Sequence, residues 1–172
     1  MNKGNTQNGF SLIELLIVVA IIGIIAAMAI PNLMASRRAA NEGSAQGSLR
    51  TINSAEVTYQ LTAGNGSFAP LNIGGVCPAG TACLCGQNLI DSVLGKATTV
   101  ATAKSGYYFT VNPIAGSPAQ YWAFALPSIT TWPARTGTRR FGIVEDGVLR
   151  ADLTLAAPAD YATTAGLPPT GN

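Results

Sequence analysis

The chain has 172 residues, of which 48% are hydrophobic and only 10% charged, with a net charge of +2 and no histidine. That length holds one modest domain plus an anchor or long helix. Without imidazole the commonest general base and metal ligand are gone, and a charge of +2 gives no overall field for nucleic acid or acidic substrates, so composition argues against an enzyme, a cofactor and a nucleic-acid partner.

Charged residues make up roughly 25% of an average soluble domain. With so few here, the exposed surface must be built largely from Gly, Ser, Thr, Asn, Gln and Ala, a surface suited to packing against copies of itself. Arg135, Arg139 and Arg140 are close enough in sequence to form a local basic patch, read as ordinary solvated surface.

Residues 1–9, MNKGNTQNG, are a polar leader with one positive residue, Lys3. This supports an orientation with the leader in the cytoplasm and the rest translocated. Residues 15–30 then run for sixteen positions without a charge. A helix over 10–33 would be roughly 36 Å long, enough to cross a hydrocarbon core of about 30 Å. The segment could be a cleaved secretory signal, since Ala27-Met28-Ala29 fits a small-x-small cleavage site, or a plain permanent anchor. Neither reading explains Glu14, because a carboxylate in an apolar run costs about 2.5–3.5 kcal/mol on insertion scales.

Residues 9–33, GFSLIELLIVVAIIGIIAAMAIPNL, closely resemble the start of type IV prepilins and of the pseudopilins of type II secretion systems. The resemblance implies that a prepilin peptidase on the cytoplasmic side cuts after Gly9 and methylates the new amino terminus at Phe10. It also implies that Glu14 is the family's characteristic acid. A free amino terminus and a carboxylate buried among apolar helices each need a partner. Paired between staggered subunits, they would set register, since leaving one unpaired costs about 3–5 kcal/mol.

Pro31 removes one helical hydrogen bond and is expected to kink or locally melt a helix that nevertheless continues. Over 34–63, Ala45, Leu49, Ile52 and Tyr59 recur at helical spacing, with Arg50, Asn53, Ser54 and Gln60 off that stripe. This half of the helix is amphipathic and should lay one face on a sheet. Gly43 and Gly47 suggest close packing or a flexible stretch, and Gly64-Asn65-Gly66 should end the helix.

Residues 64–106 form a connecting segment with at most a short helix over 87–94. Cys77, Cys83 and Cys85 lie in it, and translocation would place them in an oxidising compartment where Cys77 can pair with Cys83 or Cys85, leaving one over. An extended Cys-x-Cys does not readily bridge itself. Zinc would need a fourth ligand, and there is no histidine to supply it, so no metal site is expected. Many pilins bracket their last loop with a disulfide, and this chain has no cysteine there.

Strand patterns follow at 107–111, 121–126, 140–144 and 148–152, the last two flanking the turn signal Glu145-Asp146-Gly147. The sheet region is 107–155, and 156–172, with three prolines, reads as an irregular tail. Glu145, Asp146, Asp152 and Asp160 could offer oxygens to calcium, as in the pseudopilins the chain resembles, but their spacing matches no loop motif. The expected fold is α+β, a long amino-terminal helix on an antiparallel sheet of about four strands, which is also the plan the resemblance implies.

The functional expectation is a polymerising subunit of a type IV pilus, with a secretion pseudopilin as alternative; a membrane-tethered module that never polymerises would use the same anchor. The resemblance implies self-association, prepilin peptidase and an inner-membrane assembly platform as partners, with membrane lipid before assembly. The subunit would be single-pass in the inner membrane at first and part of a periplasmic or extracellular filament later.

Overall fold

A computed structural model describes residues 9–116 and 118–170. Residues 1–8 of the expected leader lie outside the described residues. The chain divides into two compact units, Met1–Ser36 and Arg37–Asn172.

Helix α1 is assigned over Leu12–Leu61 and continues through Pro31 without a break. In the first unit its apolar side chains are exposed, from Leu12 through Ile17, Ile24 and Ile30 to Leu33. In the second unit the stripe of Ala45, Leu49, Ile52 and Tyr59 is buried, joined by Glu42, Ser48, Ala55 and Glu56. The helix closes at the glycine cluster, where the Gly64 N–H donates to the Tyr59 carbonyl (2.7 Å).

The sheet contains β1 (Tyr107–Ile114), β2 (Gln120–Pro127), β3 (Arg140–Val144) and β4 (Arg150–Asp152), antiparallel in that order. Period-two alternation places Tyr107, Phe109 and Val111 of β1 on one face with Ala125 and Ala123 of β2 and Phe141 and Ile143 of β3. These side chains share one buried core with the α1 stripe. The turn from β3 to β4 puts Gly147 at φ +71°, with its N–H on the Val144 carbonyl, a conformation glycine adopts without penalty.

Pro113 lies inside β1. The Phe109 N–H points away from β2, to the Ala97 carbonyl, so alternation puts the missing N–H of Pro113 on the open edge, where strands tolerate proline.

Two expectations need correction. Residues 156–172 are not simply irregular: α3 spans Tyr161–Ala165, with Asp160 as N-cap accepting from the Thr163 N–H. It covers the second face of the sheet, where a Cβ on Gly142 would come within 2.8 Å of the Thr164 side chain. Past it, Ala151 donates to the Pro168 carbonyl and Thr170 to the Leu149 carbonyl, so the tail pairs along the edge of β4. Proline content hid a helix whose signals were an aspartate before YATTA and a glycine after it.

In the connecting segment the short helix is α2, Ser92–Lys96, rather than 87–94. Asp91 caps it by accepting from the Leu94 N–H (2.6 Å), so Asp91 fixes the start, and Asn88 at φ +57° is incompatible with a helix there.

Candidate assembly site

Gly9 and Phe10 precede α1 in non-helical backbone, and Phe10 is 87% exposed. Ser11 is in the N-cap position. Its N–H donates to Glu14 Oε2 at 3.0 Å, closing one half of a Ser-x-x-Glu capping box. Glu14 therefore has a local role in the single chain, beside the apolar run that it interrupts. The Ser11–Glu14 spacing is itself a helix-start signal in the sequence, which periodicity of apolar residues does not reveal.

The following helix presents an apolar surface on all sides, and among its described residues none from Leu12 to Leu33 is buried. It is long and apolar enough to cross a membrane. Leaving so many branched apolar side chains in water is strongly unfavourable at about 25 cal/mol per Å², so this surface is suited to an apolar surrounding rather than to water.

The second unit carries two buried carboxylates that sequence periodicity did not single out. Glu42 accepts from the Thr138 N–H (2.7 Å) and hydroxyl (2.6 Å) and from Arg139 Nε (2.9 Å). Burial raises its pKa, but these hydrogen bonds and the guanidinium outweigh burial and hold the carboxyl below its ordinary range. It ties α1 to the segment leading into β3. Glu56, fully buried, accepts at Oε2 from the Ala69 N–H (3.0 Å), while Oε1 has no partner. Burial pushes this carboxyl up to about 8, against the lowering effect of the Ala69 hydrogen bond. Nearby, Tyr121 donates its hydroxyl to Asn53 and packs against Phe68.

Cys77 pairs with Cys85, with Cα atoms 5.3 Å apart, and Cys83 is the free, buried thiol. Of the two partners open to Cys77, the structure has Cys85. Gly95 of α2 lies against the bridge: a Cβ there would meet Cys85 Cβ at 2.5 Å and Cys77 Sγ at 2.8 Å.

The arginines read as one solvated patch are divided. Arg139 pairs with Glu42, whereas Arg140, only 6% exposed, binds Asp152 and the Ala156 carbonyl. Arg140 opens β3 and Arg139 precedes it, and the two side chains find acids on different elements, so the sequence cluster does not become a patch.

The four carboxylates weighed as calcium ligands are likewise engaged separately. Glu145 accepts from the Tyr161 hydroxyl, Asp146 pairs with Arg150, Asp152 with Arg140, and Asp160 caps α3. The structure does not bring them together into one donor set.

Residues 4–30 match the family described as the prokaryotic N-terminal methylation motif. The amino-terminal part of this chain is thus similar to a methylation-motif segment.

Among its relatives, the chain is 68% identical over 34 residues to the type IV wide pilus major component of Thermus thermophilus, covering 20% of this chain and 26% of that protein. It is 42% identical over 60 residues to the type IV major pilin protein of Myxococcus xanthus, covering 34% and 27%. It is 34% identical over 59 residues to the type II secretion system core protein G of Pectobacterium carotovorum, covering 34% and 38%. The chain thus spans well under half the length of these relatives. No solved structure matches it.

Proposed function

We propose that this chain is a structural, polymerising subunit of a type IV pilus, made as a precursor, cleaved after Gly9 by a prepilin peptidase and methylated at Phe10. One observation carries the reading: a methylation-motif segment forms a helix that is apolar and exposed on every side and interrupted by a single acid, Glu14. Before assembly the helix anchors the subunit in the inner membrane, and the assembly platform there extracts it. Afterwards copies of the helix replace lipid around one another in a periplasmic or extracellular filament.

Glu14 pairs with the Phe10 amino terminus of a neighbouring copy and so penalises misregistered assembly. Pro31 is the position at which α1 can yield when the surrounding medium changes from lipid to protein. The chain does no catalysis of its own.

The local cap and the intersubunit role of Glu14 separate by substitution. Glutamine keeps an oxygen for the Ser11 N–H but loses the charge, and alanine loses both. With Glu14→Gln and Glu14→Ala expressed at equal levels, both are expected to form filaments poorly. If Glu14→Gln assembles normally while Glu14→Ala does not, the carboxylate acts as a helix cap and the register role is wrong.

A second reading, a pseudopilin of a type II secretion system, is favoured by the likeness to core protein G. Deletion separates the two: loss of surface filaments with normal secretion supports the pilus, and loss of protein export with filaments retained supports the pseudopilus.

A further inference from the structure

Between β2 and β3 the chain makes a lobe whose base is closed by Ile129 and Thr136. The Thr136 N–H donates to the Ile129 carbonyl (3.0 Å), and the Ile129 N–H to Thr136 Oγ1 (3.2 Å). Thr136 fastens this base inward, its hydroxyl donating to the Gly106 carbonyl (2.8 Å) and its own carbonyl accepting from Asn41 Nδ2 of α1 (2.9 Å).

The tip is the reverse. Thr130, Thr131, Trp132, Pro133 and Ala134 are all exposed, and Trp132 is 81% so. A rigidly based loop that carries an indole into solvent makes poor sense for a domain that buries Tyr107, Tyr121, Phe109 and Phe141 and leaves Trp122 only half-exposed.

The segments that form and fasten the lobe are net basic. Residues 37–42 and 129–139 contain four arginines, Arg37, Arg38, Arg135 and Arg139, against one acid, Glu42, a net of +3. Glu42 is already committed to Arg139 and Thr138. Arg37 is exposed, one helical turn before Asn41 and on the same side of the helix.

The lobe is also tethered close to the apolar segment by chain length alone. Asn41 lies only eight positions after Leu33. At no more than about 3.6 Å per residue, the attachment point lies within about 29 Å of the last apolar residue. Trp together with Arg is the composition of a membrane interface, where indole rests among headgroups and guanidinium meets lipid phosphate.

We propose that the lobe at residues 130–135 is an interfacial anchor: before assembly, Trp132 inserts among the headgroups of the bilayer that holds α1, and the surrounding guanidinium groups favour anionic lipid. This rests on the membrane-anchored reading above. It gives the folded unit a lipid contact of its own, which must be released when the subunit leaves the membrane for a filament.

The test uses the full chain in vesicles of phosphatidylcholine with phosphatidylglycerol, some carrying lipids brominated at shallow acyl positions. The chain has two tryptophans, so the fluorescence of Trp132 is the difference between the unsubstituted protein and Trp132→Phe, an exposed substitution that leaves the fold intact. The Trp132 component is expected to be blue-shifted and quenched by the bromolipid, with quenching falling several-fold in pure phosphatidylcholine.

A Trp132 component that is neither shifted nor quenched overturns the proposal, and equal quenching in both lipid mixtures overturns its anionic preference. Shielding of Trp132 only in assembled filaments would assign the lobe to a neighbouring subunit instead. Alkaline carbonate extraction of the same vesicles keeps the two readings apart. A chain that washes off fails the anchor reading, and one that stays with Trp132 unquenched fails only this one.

Discussion

Leu16 and Leu49 both belong to α1, yet Leu16 is 57% exposed and Leu49 is fully buried. The contrast holds for their surroundings. In the first unit, apolar residues occupy every side of the helix and find no partner within it; in the second they occupy one side and join the inner face of the sheet in one core. A helix that is hydrophobic all round is made for lipid or for other helices, and one with a single stripe is made for its own domain. The acids follow the same division, with Glu14 at the exposed helix start and Glu42 and Glu56 inside the core.

This contrast can be broken by substitution, with stability read as chemical unfolding of the second unit in the full chain held in detergent. The largest effect is expected from Glu42→Ala, which leaves Arg139 and two Thr138 donors without their carboxylate and should cost about 3–5 kcal/mol. Leu49→Ala should cost about 2–5 kcal/mol, whereas Leu16→Ala should change unfolding by no more than about 0.5 kcal/mol, because no core closes around it. Equal effects of the two leucine substitutions would erase the distinction between the units. Cys77→Ser opens a loop of sequence separation 8 and should cost about 2–3 kcal/mol, measured against the same protein treated with reductant.

The two buried acids should also give opposite pH limbs. Glu42 has a folded pKa below its ordinary value, so the stability it contributes is present above the unfolded pKa and is lost as pH falls through the folded one. Glu56 has a folded value raised to about 8, so its contribution is full below the unfolded value of 4.5 and is lost as pH rises through about 8. Glu56→Gln should therefore flatten the alkaline decline while leaving the acid limb in place, as seen in unfolding midpoints measured across that range.

Much of this was legible beforehand, for identifiable reasons. The four strands follow from period-two runs of aromatic and branched residues bounded by turn residues, and the buried stripe follows from helical spacing. The all-round apolar helix needs only a residue count.

What stayed hidden depended on contacts distant in sequence. Glu42 reaches a segment almost a hundred residues away, and Glu56 is buried by the turn of chain through Ala69, so neither could be recognised as core from a polar letter on a helix. Cys85 rather than Cys83 bonds Cys77 because the segment folds back on Pro70 and Leu71, a geometry that spacing alone left undecided. The α3 helix and the Ser11–Glu14 cap were different. Both had local signals, overshadowed by prolines in one case and by an unusual carboxylate in the other.

Assembly as proposed depends on one covalent event at the junction of Gly9 and Phe10. Intact-mass and amino-terminal peptide mass spectrometry of the protein isolated from its own cells tests it most directly. The expected result is a mature chain beginning at an N-methylated Phe10. A chain retaining Met1, or one beginning at Ile30 after cleavage at Ala27-Met28-Ala29, would contradict it.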